Sequence, residues 1–398
     1  MIEITSLDHN GRGIAKINDK IVFVENALPG EIVEIKILNE KKNLIEADVL
    51  KYIKKSNLRI DSPCPYYDKC GGCDLLHLCY KEQLKFKQEK ICNIIKKYLN
   101  KNIKINDIVK CDNNFNYRNK VTFQVKEKIG FYKNKSYDLI PIDKCLNCND
   151  VINNAISYLK KLNLKDIEKI TCRTNKLELM IILETKNENI NIDPIKDICN
   201  SIFIKNNNKY KLVYGDNYIT QKLDKYKYLV SPDSFFQVNL NICEKLYNKI
   251  NEYVGSNKNI LDLYCGTGSI GIYVSQSNNV IGIEINEFAI MDANKNKKLN
   301  SIENIKFICG DSSEKIQNLN FNPDIIIVDP PRSGLKNITI ANILKMNPKQ
   351  IIYVSCDPMT LVRDLNILSK NYNIEEITPF DMFPNTKHVE CLVNLKKI

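Results

Sequence analysis

No stretch of this 398-residue chain is apolar for long. The longest purely aliphatic run is Ile325-Ile326-Ile327-Val328, far short of the roughly 20 residues a membrane-spanning helix needs. The amino terminus, Met1-Ile2-Glu3-Ile4, has no basic stretch followed by an apolar one, so no secretory signal is read there. No internal repeat is visible. The expectation is a soluble cytoplasmic protein without a membrane partner, and no obligate protein partner is evident. Acidic residues are the scarcer charge, 47 Asp and Glu against 58 Lys and Arg. Residues 76–135 alone hold fifteen Lys and Arg against five Asp and Glu, close to the whole net excess of +11. Lys and Asn fill surfaces throughout, as in Asn206-Asn207-Asn208-Lys209, but that bias does not explain their concentration in one segment. A basic block of this kind is the footprint of a polyanion.

Cysteine, by contrast, is abundant, at fifteen. Without a secretory signal these are thiols, metal ligands or a nucleophile rather than disulfides. Cys199, Cys243 and Cys309 lie in apolar surroundings and are expected to be small buried hydrophobes.

Residues 1–56 read as a β-barrel of the oligonucleotide-binding type. Alternating runs such as Lys20–Val24 and Glu31–Ile37 are separated by the turn signals Asn10-Gly11-Arg12-Gly13, Asn18-Asp19 and Pro29-Gly30. Residues 57–230 form a central α+β domain. It holds a cysteine-bearing loop, a helix over 80–99 with Leu84, Ile91, Ile95 and Tyr98 toward one face and lysines on the other, and strands over 115–142. In those strands Phe115, Tyr117, Phe123, Phe131 and Tyr132 interleave with Arg118, Lys120, Lys126, Lys128 and Lys133. Some of these aromatics must be core, because alternate strand positions face opposite sides. From 231 onward helices and strands alternate. Strands near 259–264, 280–284, 305–309, 324–329 and 350–355, and two more near 372–379 and 388–396, predict an α/β, doubly wound Rossmann-like domain over 231–398.

After the first of these strands comes Tyr264-Cys265-Gly266-Thr267-Gly268-Ser269-Ile270-Gly271. Glycines there permit a tight turn and close approach of backbone to a ligand. Glu284, ending the next strand, is placed to accept hydrogen bonds from ribose hydroxyls. The pattern indicates an adenosine cofactor but fits both NAD and S-adenosylmethionine. The fourth strand ends in Asp329-Pro330-Pro331-Arg332 and the fifth in Ser355-Cys356-Asp357-Pro358. Ligands sit at the carboxyl ends of such strands, so Cys356 faces the cofactor crevice beside the Asp-Pro-Pro corner.

The segments 355–364, Asp381-Met382-Phe383-Pro384-Asn385-Thr386-Lys387-His388-Val389-Glu390, Ser234-Phe235-Phe236-Gln237-Val238-Asn239, the Gly266 loop and Asp329-Pro330-Pro331-Arg332 together resemble the RNA 5-methyluridine methyltransferase family. The likeness runs over the whole chain, and the barrel resembles the TRAM domain of the family's 23S ribosomal RNA members. The resemblance implies that Gln237, Tyr264, Glu284 and Asp329 contact S-adenosylmethionine, with Asn296 and Ser269 as further candidates. It implies that Cys356 attacks the base and Glu390 is the general base. The chemistry asks for such a pair: uracil C5 is a poor nucleophile until a thiolate adds at C6, and its proton must then be removed. A free thiol of pKa ~8.5 is scarcely ionised at neutral pH; Arg332, Arg363 and the donor's own charge are candidates for lowering it. His388, two residues before Glu390, is read as a hydrogen-bonding neighbour on the same strand face. The target uridine must be unpaired or flipped out, at a few kcal/mol, which stacking at ~1–3 kcal/mol per base can offset.

Cys64, Cys70 and Cys73 have the spacing Cys-x5-Cys-x2-Cys. The first gap is longer than zinc sites use, and thiolate-only loops also suit iron–sulfur clusters. The resemblance implies a [4Fe-4S] cluster completed by Cys145, with Cys148 and Cys79 as alternatives. Three other functions fit parts of the chain: a transfer-RNA uridine methyltransferase with the same chemistry, an NAD-linked iron–sulfur oxidoreductase, and an RNA-binding module on an inactive transferase fold. The oxidoreductase leaves Cys356 and the Asp-Pro-Pro-Arg corner without a task.

Overall fold

The alternating run around Val22 and Val24 forms the strand Lys20–Glu25, joined to Gly13–Ile17 by a two-residue turn in which Asn18 and Asp19 both have positive φ (45° and 62°). That is the turn whose twist suits a hairpin. With Ile32–Lys41 and Leu44–Lys54 these strands make a six-stranded sheet, and the first seven residues supply both of its edge strands, Ile2–Glu3 and Ser6–Leu7. Ile4, Val22, Val24, Val33, Ile45 and Ala47 fill its interior. The computed structural model describes residues 1–99 and 102–398. The chain divides into two compact units, one of Met1–Lys90, Phe131–Ile140 and Phe383–Lys387, the other of Ile91–Gly130, Pro141–Met382 and His388–Ile398.

The helix Tyr80–Leu99 forms as its periodicity predicts, but its faces differ from the expectation. Tyr98 is exposed and Lys87 fully buried, its Nζ donating 2.9 Å to the carbonyl of Phe383. A lysine stem packs as hydrocarbon once its ammonium has an acceptor, which the period of charges along a helix does not reveal. Cys243 is buried as expected; Cys199 is half-buried and Cys309 exposed. Cys309 is the last residue of an edge strand of its sheet.

In the second unit the antiparallel strands Lys120–Val125, Ile167–Thr174 and Leu179–Thr185 are extended by Ser201–Asn206, parallel to Leu179–Thr185, and Lys209–Gly215. Helix Asp150–Leu159 buries Ile152, Ala155, Ile156 and Leu159. The larger sheet carries the αβ alternation. Its strands are β1 (Asn259–Leu263), β2 (Asn279–Glu284), β3 (Ile305–Cys309), β4 (Ile325–Val328), β5 (Gln350–Ser355), β6 (Tyr372–Phe380) and β7 (Glu390–Lys397), in the order β3-β2-β1-β4-β5-β7-β6 with Lys104–Ile105 beyond β6. The first five are parallel; β7 runs antiparallel between β5 and β6. Buried on both faces, β4 and the 351–354 stretch of β5 are unbroken apolar runs rather than alternating ones. The order reverses at β1, between β2 and β4, which is where open α/β sheets bind ligands. Among the described residues no helix is long and apolar enough to cross a membrane.

Candidate active site

Strand register brings the two predicted catalytic residues together. In the β5–β7 ladder Ser355 pairs with Cys391, so one step further Cys356 stands opposite Glu390, and directly opposed residues share a face. Cys356 also immediately precedes the N-cap of a helix. Asp357 caps Pro358–Leu368, accepting from the amides of Met359 (2.9 Å) and Thr360 (3.0 Å), with Pro358 in the first turn. The Asp-Pro of the motif thus turns the chain sharply, leaving the half-buried thiol at the strand's carboxyl end. Because β7 starts at Glu390, His388 lies in the preceding loop and strand alternation does not place it.

Three acids crowd this corner. Burial, then Glu390 and Asp329, push the Cys356 thiol up to about 11, and Arg332 opposes them. Glu390 is 3% exposed; burial and the nearby Asp329 raise its carboxyl well above the usual range, again against Arg332. Burial holds Asp329 at about 7. In the ligand-free site Cys356 and Glu390 therefore favour their protonated forms at neutral pH, while Asp329 is near its midpoint. Arg332 is the cation that acts on both Cys356 and Glu390. Arg363 is turned away: its guanidinium donates to the Asp364 carboxylate and to the carbonyls of Ser333 and Leu335.

The glycine loop lies at the end of β1. Tyr264 has a left-handed backbone, φ 63°, rare for a bulky residue and a mark of binding sites. Gly268 has φ 76°, and a Cβ there would stand 2.4 Å from the Phe307 ring, so only glycine fits. Glu284 accepts from Gly266 N (3.2 Å) and Asn286 N (2.8 Å). These bonds orient its carboxylate and leave lone pairs for further donors. Beneath the loop, buried Asp262 accepts from Gly271 N at 3.0 Å, while its Oδ1 has no hydrogen-bond partner among the described residues. Burial, and then Asp329, hold it at about 8. A cradle bounded by acids suits a cationic adenosine donor. Ser269 and Asn296 have structural partners here: the Ser269 hydroxyl meets Tyr247 at 2.7 Å, and fully buried Asn296 binds the backbone of Leu229 and Thr267.

The loop bearing Gln237 is fixed by residues that sequence reasoning missed. Asn119 grips both sides of it, its side chain donating to the Gln237 carbonyl and its amide to that of Val238, each at 3.0 Å. Arg173, only 1% exposed, donates to the carbonyls of Ser231 and Ser234, and buried Asp292 accepts from the Ser231 amide and the Ser234 hydroxyl. The Gln237 side chain makes no hydrogen bond among the described residues. Arg173 lies in a strand where the sequence shows no motif, so only its burial gives it away.

The tRNA (uracil-5-)-methyltransferase family profile matches residues 79–398, and a TRAM domain matches residues 1–50. An uncharacterized RNA methyltransferase of Clostridium acetobutylicum is 36% identical over all of this chain and 96% of its own length. One from Staphylococcus aureus is 36% identical over 99% and 97%. The crystal structure of Pyrococcus abyssi tRNA (uracil-54, C5)-methyltransferase with S-adenosyl-L-homocysteine superposes with a TM-score of 0.83, at 31% identity over 99% of both chains. The chain belongs to the tRNA (uracil-5-)-methyltransferase family. It is an S-adenosylmethionine-dependent RNA (uracil-5-)-methyltransferase, of mixed α/β fold with an N-terminal TRAM domain made of strands. Family membership decides between the two cofactors that the glycine loop allowed and removes the oxidoreductase.

The methyltransferase's other cysteines are arranged less decisively. In the first unit Cys64, Cys70 and Cys73 are half-buried, and Gly72 N donates to Cys70 Sγ at 3.4 Å. In the second unit the thiols of Cys145 and Cys148 hydrogen-bond one another, and the Asn153 amide clamps the backbone of both. Among the described residues no three Cys, His, Asp or Glu side chains form a group that could hold a metal ion. No step of the chemistry below passes through a cluster.

Proposed function

We propose that this methyltransferase modifies C5 of a specific uridine in 23S ribosomal RNA through a covalent bond between Cys356 and C6 of the base. The observation that carries the mechanism is the β5–β7 register, with Cys356 opposite Glu390 beside Asp329 and Arg332. In the RNA-bound site Cys356 and Glu390 release their protons to water, and the Cys356 sulfur bonds to C6, moving the electron pair of the C5–C6 double bond toward C5. Gln237, Tyr264, Glu284 and Asp329 would hold S-adenosylmethionine, which would supply an electrophilic methyl group to that carbon, its sulfur–methyl bond breaking to leave S-adenosylhomocysteine. The Glu390 carboxylate then takes the C5 proton, the double bond re-forms and the sulfur–C6 bond breaks. Burial serves this last step, since a carboxylate whose proton affinity is raised is a stronger base once ionised. In this reading residues 1–56 grip RNA, 57–230 present the basic segment and 231–398 perform the chemistry.

The ribosomal substrate is supported by the resemblance of the TRAM-bearing chain to ribosomal members of the family. A transfer-RNA uridine is the second reading, favoured by the family's description and by the substrate of the Pyrococcus relative. Tritium release from RNA carrying 5-tritiated uridine, dependent on S-adenosylmethionine, tests the reaction; no release from either RNA class refutes it. Comparing 23S ribosomal RNA with transfer RNA in that assay separates the substrates. A [4Fe-4S] cluster on Cys64, Cys70, Cys73 and Cys145 rests on spacing and resemblance alone. Iron and sulfide analysis of anaerobically purified protein decides it, and iron-free protein of full activity removes the cluster.

A further inference from the structure

The corner at Cys356 depends on a guanidinium carried by an exposed loop. Arg332 is itself exposed, and such a side chain keeps its place only if its backbone is held. The residues holding it surround one carboxylate. Asp364, in the second half of helix Pro358–Leu368, is fully buried. Its Oδ2 accepts from Leu335 N at 2.8 Å and from the Tyr353 hydroxyl at 2.7 Å; its Oδ1 accepts from Arg363 Nε at 2.8 Å. Arg363 Nη2 reaches on to the carbonyls of Ser333 (2.9 Å) and Leu335 (3.1 Å), and the Thr360 hydroxyl donates to the Arg332 carbonyl at 3.1 Å.

Three segments meet at this hub: β5, which leads into the nucleophile; the helix following it; and the loop after β4, which carries Arg332. Gly334 shows how close the loop lies. It has φ 72°, and a Cβ there would stand 2.6 Å from Arg363 Nη2 and 2.7 Å from Asp364 Oδ2. A buried carboxylate saturated by donors from three segments is costly to disturb, since losing it strands those donors.

We propose that Asp364 is a positioning residue, fixing the Ser333–Leu335 backbone so that the Arg332 guanidinium stays beside the Cys356 sulfur and the Glu390 carboxyl. Asp364 touches no substrate; it acts through Arg332. The charged groups facing Cys356 are Glu390 at the start of β7 and Asp329 and Arg332 after β4. Loosening the loop removes the one cation among them and leaves both acids in place. The inference rests on Cys356 being the nucleophile, and its test does not require turnover.

The test is the pH dependence of Cys356 alkylation by iodoacetamide in the full-length, ligand-free protein, read by peptide mass spectrometry below the melting temperature of each variant. In Asp364→Asn the midpoint is expected to rise by about one pH unit, which is about tenfold slower labelling at a given pH, and kcat to fall with KM for S-adenosylmethionine unchanged. A folded Asp364→Asn protein with an unmoved midpoint overturns the proposal and leaves the nucleophile assignment intact. Should Asp364→Asn not fold, Thr360→Val, which removes the hydroxyl's bond to the Arg332 carbonyl together with a longer one (3.2 Å) to the Asp357 carbonyl in its own first turn, carries the test, with a smaller shift in the same direction expected and no shift overturning it. Turnover by Cys356→Ser would instead refute the proposed function, whatever the alkylation midpoints.

Discussion

Two glutamates on adjacent strands of one sheet have opposite fates. Glu376, on β6, pairs with Asn394 inside the β6–β7 ladder, whereas Glu390 pairs with Phe380 at its end. Glu376 accepts from Lys104 Nζ (2.7 Å), the Tyr253 hydroxyl (2.6 Å) and Asn106 Nδ2 (3.1 Å). Lys104 and Tyr253 lead in pulling it down to about 2. Glu390 makes no side-chain hydrogen bond among the described residues, is buried and faces Asp329, so it holds its proton far above the usual range. Glu376 is a settled joint in the sheet. Glu390 sits where the strands end and the loops diverge, and the site supplies it with acids rather than donors. An unsettled carboxyl beside an unsettled thiol marks chemistry more sharply than either residue alone.

The contrast is most exposed to test by two amides. Glu390→Gln should abolish turnover and accumulate a covalent RNA–protein adduct that survives denaturing electrophoresis, because the C5 proton stays; Glu376→Gln should turn over normally. Equal effects of the two would break the comparison. A second, smaller effect concerns stability. Asp262, Asp329 and Glu390 have folded-state affinities for protons raised above their unfolded values. The folded state therefore binds more protons, and stability present below pH ~4 is lost as pH rises through the folded values, about 7 for Asp329 and about 8 for Asp262. The melting temperature of the ligand-free protein should fall over that window. Asp262→Asn should raise it on the alkaline side, by about 2–4 °C for each kcal/mol recovered; no change would mean that Asp262 is ionised without strain. The smallest effect is that of Glu376→Gln on stability. With its folded value lowered, Glu376 stabilises above pH ~4.5 and loses that contribution toward pH ~2. Its removal should cost about 1 kcal/mol at neutral pH, since the carboxylate is partly exposed and screened. A thermal melt near pH 2 should show the difference vanish.

Much of the site was legible because its signals are local. Glycines at 266 and 268, a carboxylate closing β2, and a cysteine followed by a capping Asp-Pro are features of a few consecutive residues, and each arises from backbone conformation or strand-end placement. The alternatives left open were those that depend on direction. Arg332 and Arg363 were equal candidates to act on Cys356, and only the fold turns Arg363 into the Asp364 hub. Arg173, Asp292 and Asn119 carry no motif at all. They hold the Gln237 loop across long sequence separations, which a single chain read in order does not reveal. Lys87 and Tyr98 changed places for the same reason: the helix period was right, but what lies against each face is set by distant segments.

By itself the sequence determined the strand and helix succession, the glycine turn after β1 and the presence of a thiol at a strand end, because these follow from periodicity, glycine conformation and capping within a few residues. Only the tertiary structure decided which acids crowd that thiol, which guanidinium answers them and which carboxyl has its proton affinity raised. Those properties depend on register and burial, and the antiparallel insertion of β7 beside β5 brings Glu390 opposite Cys356 from a segment of chain beyond the intervening helix and β6.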